Sequence, residues 1–282
     1  MKTLLYSIIA IFVLGIFMGS CNLQPQMKSV FVLQPAESNV SADMLSQTAS
    51  IISNRLKFVN AARFEVAVIP DQSEIKVSLA NGWDSTSVQQ LITEKGFLGF
   101  YETFNHQAVL DLMKGDNQLF ELLKNQQSNP QDAILGYATA DDTAAVNSYI
   151  KTTPLAKSIN FQWSEISERQ MFCLYALKNN PILTDADIEH VNCSNNQVGG
   201  GYAIEMMFKK PAVGIWADAT KRNMNKAIAI MLDGKVLLAP VVRSEITGGR
   251  SSITGNFTQL EAKNIAAMVG NGELPVNLQV VK

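Results

Sequence analysis

Few residues in this chain of 282 have the types and spacing that chemistry needs. There is no GxSxG turn to expose a serine nucleophile and no HExxH helix to hold zinc. Two histidines, His106 and His190, lie too far apart in sequence to argue for a pair. The segments "GDN" (Gly115–Asn117) and "TDAD" (Thr184–Asp187) carry carboxylates, and helix caps and solvated turns explain both more simply. "VGGGYA" sets Gly199, Gly200 and Gly201 before a strand, whereas a phosphate loop follows a strand and opens a helix. The stretch "EITGGRSSITGNFT" (Glu245–Thr258) packs glycines, hydroxyls and Arg250 between hydrophobic runs, but it lacks a P-loop lysine. Arg250 is either an anion contact or an ordinary surface residue. The expectation is a protein with no catalytic residue, no metal and no cofactor.

Cysteine chemistry is the next candidate. Cys173 and Cys193 form a disulfide if the compartment is oxidising, or stand as two buried free thiols. His190 and Cys193 are three residues apart, but no second pair completes a zinc site. The third cysteine has a more telling context. Met1-Lys2 is followed by an apolar run from Leu4 to Phe17, and "MGSC" closes it at Cys21. The run is shorter than the roughly 20 residues of a spanning helix. The small residues before Cys21 resemble the lipobox of bacterial lipoproteins, with Met18 where leucine is usual. That resemblance implies a signal peptide over residues 1–20, cleavage before Cys21, lipid on its thiol, and a tether over 21–27. An uncleaved anchor or a plain secretory signal are the alternatives. Lipoprotein and uncleaved anchor alike leave the rest of the chain outside the cytoplasm, tethered to a membrane.

With 47% hydrophobic and 17% charged residues the chain can fold around a core. A formal net charge of −2 supplies no attraction for nucleic acid. The elements that must position any site follow from periodicity. "SVFVLQP" reads as a strand, and Ser41 caps a helix with Leu45, Ala49, Ile52 and Leu56 on one face. "RFEVAVI" and "EIKVSLA" are strands about the turn "PDQS", "DSTSVQQLITEKG" is a helix that Gly96 stops, and "FLGFYETF" is a strand. The order β-α-β-β-α-β over residues 28–104 is that of a ferredoxin-like, split βαβ unit. Residues 105–180 read as an α+β insertion, with helices in "HQAVLDLMKG", "NQLFELLKNQQ" and "ADDTAAVNSYIK" and strands in "AILGYAT", "SINFQWS" and "QMFCLYALK". Residues 181–282 form a second α+β unit. Within it Pro211 starts a helix, Asp233-Gly234 is the pair favoured by a type I′ hairpin, and Pro240 marks an edge strand or its end. Thr258 with Glu261 makes a capping box, the helix it opens buries Ala262, Ile265, Ala266 and Val269, and Gly270 ends it. The fold class is therefore α+β.

From Leu183 onward a series of linked motifs appears. "LTDADI" precedes a strand, and then comes "AIMLDGKVLLAPVVRSEITGGRSSITGNFTQLEAKNIAAMVGNGELPVNLQVV". This closely resembles the head of the first large periplasmic domain of SecD and fused SecDF, the bacterial protein-export membrane proteins. The hairpin at Asp233, Gly234 and Pro240, the turn at Gly248-Gly249, and the run Gly255, Asn256, Phe257, Thr258 carry the match, with Thr254 where the family commonly has serine. "VLQPAESNVSADMLSQTASIISNRL" resembles the base of the same domain, and "LYALKNNPILT" its junction into the head. The resemblance implies a ferredoxin-like base followed by a SecD-like α+β head, and a membrane-tethered accessory of protein export facing the periplasm. Its partners would be emerging or unfolded polypeptides, or components of the Sec machinery. The family's transmembrane helices, which carry its proton-coupling residues, have no counterpart before Lys282, so no proton-driven motor activity is expected. A structural or adaptor lipoprotein that reuses the head fold is the alternative. The glycines of the opening stretch are expected to serve backbone geometry, with valine at Gly248 or Gly249 destabilising the head.

Overall fold

The computed structural model describes residues 27–80, 85–124, 131–164, 171–196 and 200–281, and the proposed lipid site at Cys21 lies outside them. Strand β1 (Met27–Pro35) leads into α1 (Ala42–Phe58), where the Ser41 hydroxyl accepts from the Met44 N–H at 3.2 Å. Strands β2 (Phe64–Ile69) and β3 (Glu74–Ala80), helix α2 (Ser85–Thr93) and strand β4 (Leu98–Phe104) follow in the expected order. The next stretch holds α3 (His106–Met113), α4 (Gln118–Leu122), β5 (Ile134–Ala138), α5 (Ala140–Thr152), β6 (Asn160–Trp163) and β7 (Phe172–Leu177). The last comprises β8 (Leu183–Thr184), β9 (Ile188–Asn195), β10 (Tyr202–Phe208), α6 (Lys210–Arg222), β11 (Ile228–Leu232), β12 (Lys235–Leu238), β13 (Arg250–Phe257), α7 (Gln259–Gly270) and β14 (Leu278–Val280).

The ferredoxin-like sheet forms, but its fourth strand comes from the far end of the chain. Its order is β14-β1-β3-β2, with Leu33 of β1 opposite Val280 of β14. Strand β4, expected to close that unit, instead pairs with β11 and β7 in a second sheet of order β12-β11-β4-β7-β5. Burial supplies the reason. Leu98, Gly99, Phe100, Tyr101 and Glu102 of β4 are all buried, so this strand needs apolar cover on both faces, which only a central position gives. The third sheet, β13-β10-β9, is antiparallel. Residues 181–282 thus contribute strands to all three sheets.

Helix α7 differs from its predicted single stripe. Ala262, Asn264, Ile265, Ala266, Ala267, Met268 and Val269 are all buried, because the helix is packed between α1 and α2 on one side and β9 and β10 on the other. Small residues permit that double contact. One apolar core therefore runs from Leu33 and Ile52 through Leu91 and Ala266 to Ile204 and Phe208. A separate core, with Val109, Leu135, Val146 and Leu174, fills the region between 105 and 180.

Polar anchors hold these layers in place. Arg55 of α1 is fully buried and donates to the carbonyls of Leu91 (3.2 Å), Glu94 (2.6 Å), Lys95 (2.5 Å) and Gly272 (3.0 Å). Burial lowers its pKa to about 10, with the charges of Asp233, Glu94 and Asp185 opposing the fall, so it stays cationic at neutral pH. Gly96, at φ +83°, passes so close that a Cβ would stand 2.4 Å from Arg55 Nη2. The Asp233 carboxylate accepts from the N–H groups of Gly96 and Phe97 at 2.8–3.0 Å, at the tip of the β11–β12 hairpin. That hairpin has the expected turn, with Asp233 at φ 48° and Gly234 at φ 81°. Glu102 accepts from Arg222 Nε at 2.6 Å and from Lys178, joining β4 to the ends of α6 and β7.

Two predictions follow from these anchors. Arg55→Leu leaves four backbone acceptors without their donor and should lower stability by about 3 kcal/mol in urea unfolding at neutral pH. For Glu102, burial raises the carboxyl pKa, but hydrogen bonds from Lys178 and Arg222 outweigh it and hold the pKa below the ordinary 4.5. A lowered folded-state pKa adds stability above the unfolded value, and that stability is lost as pH falls through the folded one. Unfolding midpoints measured across the acid range should therefore drop less steeply in Glu102→Gln than in the parent.

Candidate functional site: a cleft at the open edge of the head sheet

Helix α6 begins at a proline-set turn and buries Ala212, Trp216, Ala219 and Thr220 at helical spacing. Trp216 is the pivot. Its ring meets Phe100 of β4 edge-on at 5.1 Å and Phe208 of β10 at 5.3 Å, while Phe100 and Phe208 lie 5.4 Å apart at 78°. This trio locks α6 to both the central sheet and the head sheet. The indole Nε1 is buried with no hydrogen-bond partner, so the ring contributes apolar area and not its polar edge.

Beside the trio runs the segment from Pro240 to Gly249. Its first part is tied down by the Val242 N–H donating to the Lys226 carbonyl and the Asn225 N–H donating to the Val242 carbonyl, both at 2.9 Å. Its second part is held by the buried Thr220 hydroxyl, which accepts from the Ile246 N–H at 2.9 Å. At its end Gly249 takes φ 62°, and its carbonyl accepts from the Phe208 N–H at 2.8 Å. A Cβ there would lie 2.6 Å from Cγ2 of Val213 on α6. Gly248 has open space and no such φ, so the expectation that both glycines are required holds for Gly249 only. Strand β13 then starts at Arg250 and pairs with β10 alone. No strand among the described residues pairs with its outer edge.

Between that edge, α6 and the Pro240–Gly249 segment lies a cleft of about 610 Å³. Met206, Trp216, Ile228 and Ile230 form its apolar floor, and Val242 and Ile246 its side. Ser251 and Ser252 present the β13 edge, while Glu205, Arg243 and Arg250 bring charge. The volume suits an extended segment of a few residues. A second cleft of about 530 Å³ lies at the Asp233 hairpin and is lined by Glu94, Lys95, Lys235 and Glu273 among others.

The structure sorts the residues singled out from sequence. Pro240 and Arg250 line the first cleft, whereas Asp233 and Gly234 belong to the second and serve the turn. Gly255 and Asn256 sit at the far end of β13, Phe257 packs partly buried on the main core, and Thr258 caps α7 with the Glu261 N–H at 3.3 Å. Cys173 and Cys193 are both free, which corrects the disulfide reading. One lies on β7 against Tyr101 and Tyr175, and the other on β9 beside the main core, in different sheets. Asp116 accepts from the Gln118 N–H at the start of α4 and from the Tyr149 hydroxyl of α5, and Asp187 accepts from the Thr184 N–H, so the carboxylates of both motifs serve structural hydrogen bonds. His106 packs on Phe120 in the region of the second core, and His190 lies on β9. Trp216, Thr220, Arg243 and Ile246 went unmarked in sequence, since nothing local shows that a helix and a loop border the same space.

The glycine pair offers a direct check. Gly249→Ala should cost about 2 kcal/mol through the left-handed φ and the Val213 contact, and Gly248→Ala well under about 1 kcal/mol, in parallel thermal or urea unfolding.

Comparison with known proteins finds relatives in sequence and in fold. The family model described as the SecDF P1 head subdomain matches residues 160–276. The protein translocase subunit SecD of Acidaminococcus fermentans is 40% identical over 106 residues, 38% of this chain and 25% of that protein. That of Sebaldella termitidis is 42% identical over 94 residues, 30% and 23% of the two chains. SecD of Rhodothermus marinus extends the match to 204 residues at 28% identity, 62% of this chain and 32% of that one. The chain thus spans about a quarter to a third of the length of these curated relatives. Among solved structures, SecDF in a super-membrane-facing form has a TM-score of 0.56 at 22% identity, covering 90% of this chain and 29% of that one. A second, of a membrane component SecDF that enhances protein export, has a TM-score of 0.54 at 24% identity, covering 90% and 98%. At those identities the likeness is one of fold. With its α+β architecture, its sheet edge and its linked head motifs, the chain has the fold of SecDF periplasmic domains, and its residues 160–276 match the SecDF P1 head subdomain.

Proposed function

We propose that this chain is an extracytoplasmic, membrane-tethered accessory of protein export that holds emerging or unfolded polypeptide in the cleft beside β13. The observation that carries the reading is an open strand edge bordering an apolar floor, in a head whose relatives are translocase subunits. An unfolded chain offers both complements at once. Its backbone can extend the ladder, and its apolar side chains can cover Met206, Trp216 and Ile230. A folded protein offers neither. In this reading the chain performs no bond chemistry and has no proton-driven motor of its own. The lipid at Cys21 holds it at the membrane with the head facing the periplasm, within reach of Sec channel or SecDF subunits.

The test uses the full chain in nonionic detergent micelles and a secreted precursor in unfolded and folded forms. The unfolded form should bind, and Ser252→Trp, at an exposed cleft position, should weaken that binding about tenfold without moving the unfolding midpoint. Equal, negligible binding of both forms would sink the proposal. Strong sequence identity is concentrated in about a hundred residues of head, and this favours a second reading, an adaptor lipoprotein that reuses the fold. Recovery of unrelated envelope proteins by tagged chain, with no Sec channel or SecDF subunit, would select it.

A further inference from the structure

The cleft has a charge pattern that selects among polypeptides. Arg250 opens β13, and Arg243 projects from the segment that borders the cleft on its other side. Both are exposed, and neither takes part in an ion pair among the described residues. Of the nearby acids, Glu245 pairs with Lys221 at 3.8 Å, while Glu205 accepts from the Ser194 hydroxyl at 2.8 Å and keeps its charge, so the two arginines outnumber the one unpaired carboxylate of the cleft lining.

Strand alternation says which position of a bound segment would meet these arginines. Along β13, Arg250, Ser252 and Thr254 are exposed, while Ile253 is fully buried in the core and Ser251 is half-buried between them. A strand added at the open edge inherits the same alternation, because opposite residues share a face. Its residue beside Arg250 stands on the outer face, and its neighbours on either side turn inward to the floor of Met206, Trp216 and Ile230. Opposite charges directly across a strand pair are favourable, and a like charge is unfavourable.

We infer that the preferred occupant of this cleft is an extended peptide segment with a carboxylate flanked by apolar residues, Asp or Glu beside Arg250 and Arg243 with aliphatic or aromatic side chains on the floor. This rests on the peptide-holding reading above and adds a sequence preference to it. A lysine or arginine at the same position is rejected by repulsion, so segments of an exported chain would be held unequally.

Labelled peptides of one alternating sequence, with Glu, Gln or Lys at the central position, test this by anisotropy with the full chain in nonionic micelles. The Glu peptide should bind about tenfold more tightly than the Lys peptide at low salt, and the gap should close at high salt. It should also close in the Arg243→Gln/Arg250→Gln variant, while the Gln peptide binds variant and parent alike. A Glu peptide N-methylated at alternate backbone amides should lose binding, because it cannot extend the ladder. Equal affinities of the three peptides overturn the charge preference and leave the peptide reading standing. Failure of all three to bind overturns both. Arginine-dependent binding of short-chain phosphatidylglycerol, without binding of the Glu peptide, would assign the cleft to a lipid and overturn the inference.

Discussion

The buried guanidinium of Arg55 is the constraint on which the layers of this protein depend. A cation with no water around it is costly unless its donors are met, and here both Nη groups, though not Nε, are met by carbonyls at the C-terminal end of α2 and in the loop after α7. Those are places where unsatisfied carbonyls gather and the helix dipole is negative. One side chain on α1 therefore registers two other helices, from sequence distances of 36 and 217 residues. Asp233 completes the arrangement from a third direction, fixing the Gly96-Phe97 backbone to the hairpin of the central sheet.

That junction explains why head and base share one core. The C-terminal segment leaves α7, passes Arg55 at Gly272, and ends as β14 on the edge of the first sheet. Helix α7 is held between base helices and head strands by small residues, so head and base meet through a packed interface and not through a linker. The cleft lies where α6, the Pro240–Gly249 segment and the free edge of β13 converge, over a floor that belongs to the same core. A stable body thus presents an unpaired strand edge. Such edges are normally avoided because they invite pairing, and here exposed Arg250, Ser252 and Thr254 on its outer face limit indiscriminate association.

Local signals were legible wherever the physics is local. Ser41 and Thr258 cap their helices as their side chains dictate, Asp233-Gly234 makes the turn its φ preferences favour, and Pro240 falls just past the end of an edge strand. The motif from Leu183 onward pointed to the family, and through it to the head. Gly249 and Gly248 look equivalent in sequence, yet only Gly249 faces Val213, because that contact depends on where α6 lies.

By itself the sequence determined the α+β class, the succession of helices and strands, the absence of any familiar catalytic motif, and the kinship of residues 160–276 to the P1 head. Tertiary structure alone decided which strand closes the first sheet, that α7 is buried on several sides, that the two cysteines stay apart, and that Arg243 and Arg250 border one cleft. The physical reason is the range of the interactions. Caps, turns and periodicity act over a few residues and are written in order along the chain. Sheet pairing and burial join residues as distant as Leu33 and Val280, and their outcome depends on every other element competing for the same partners.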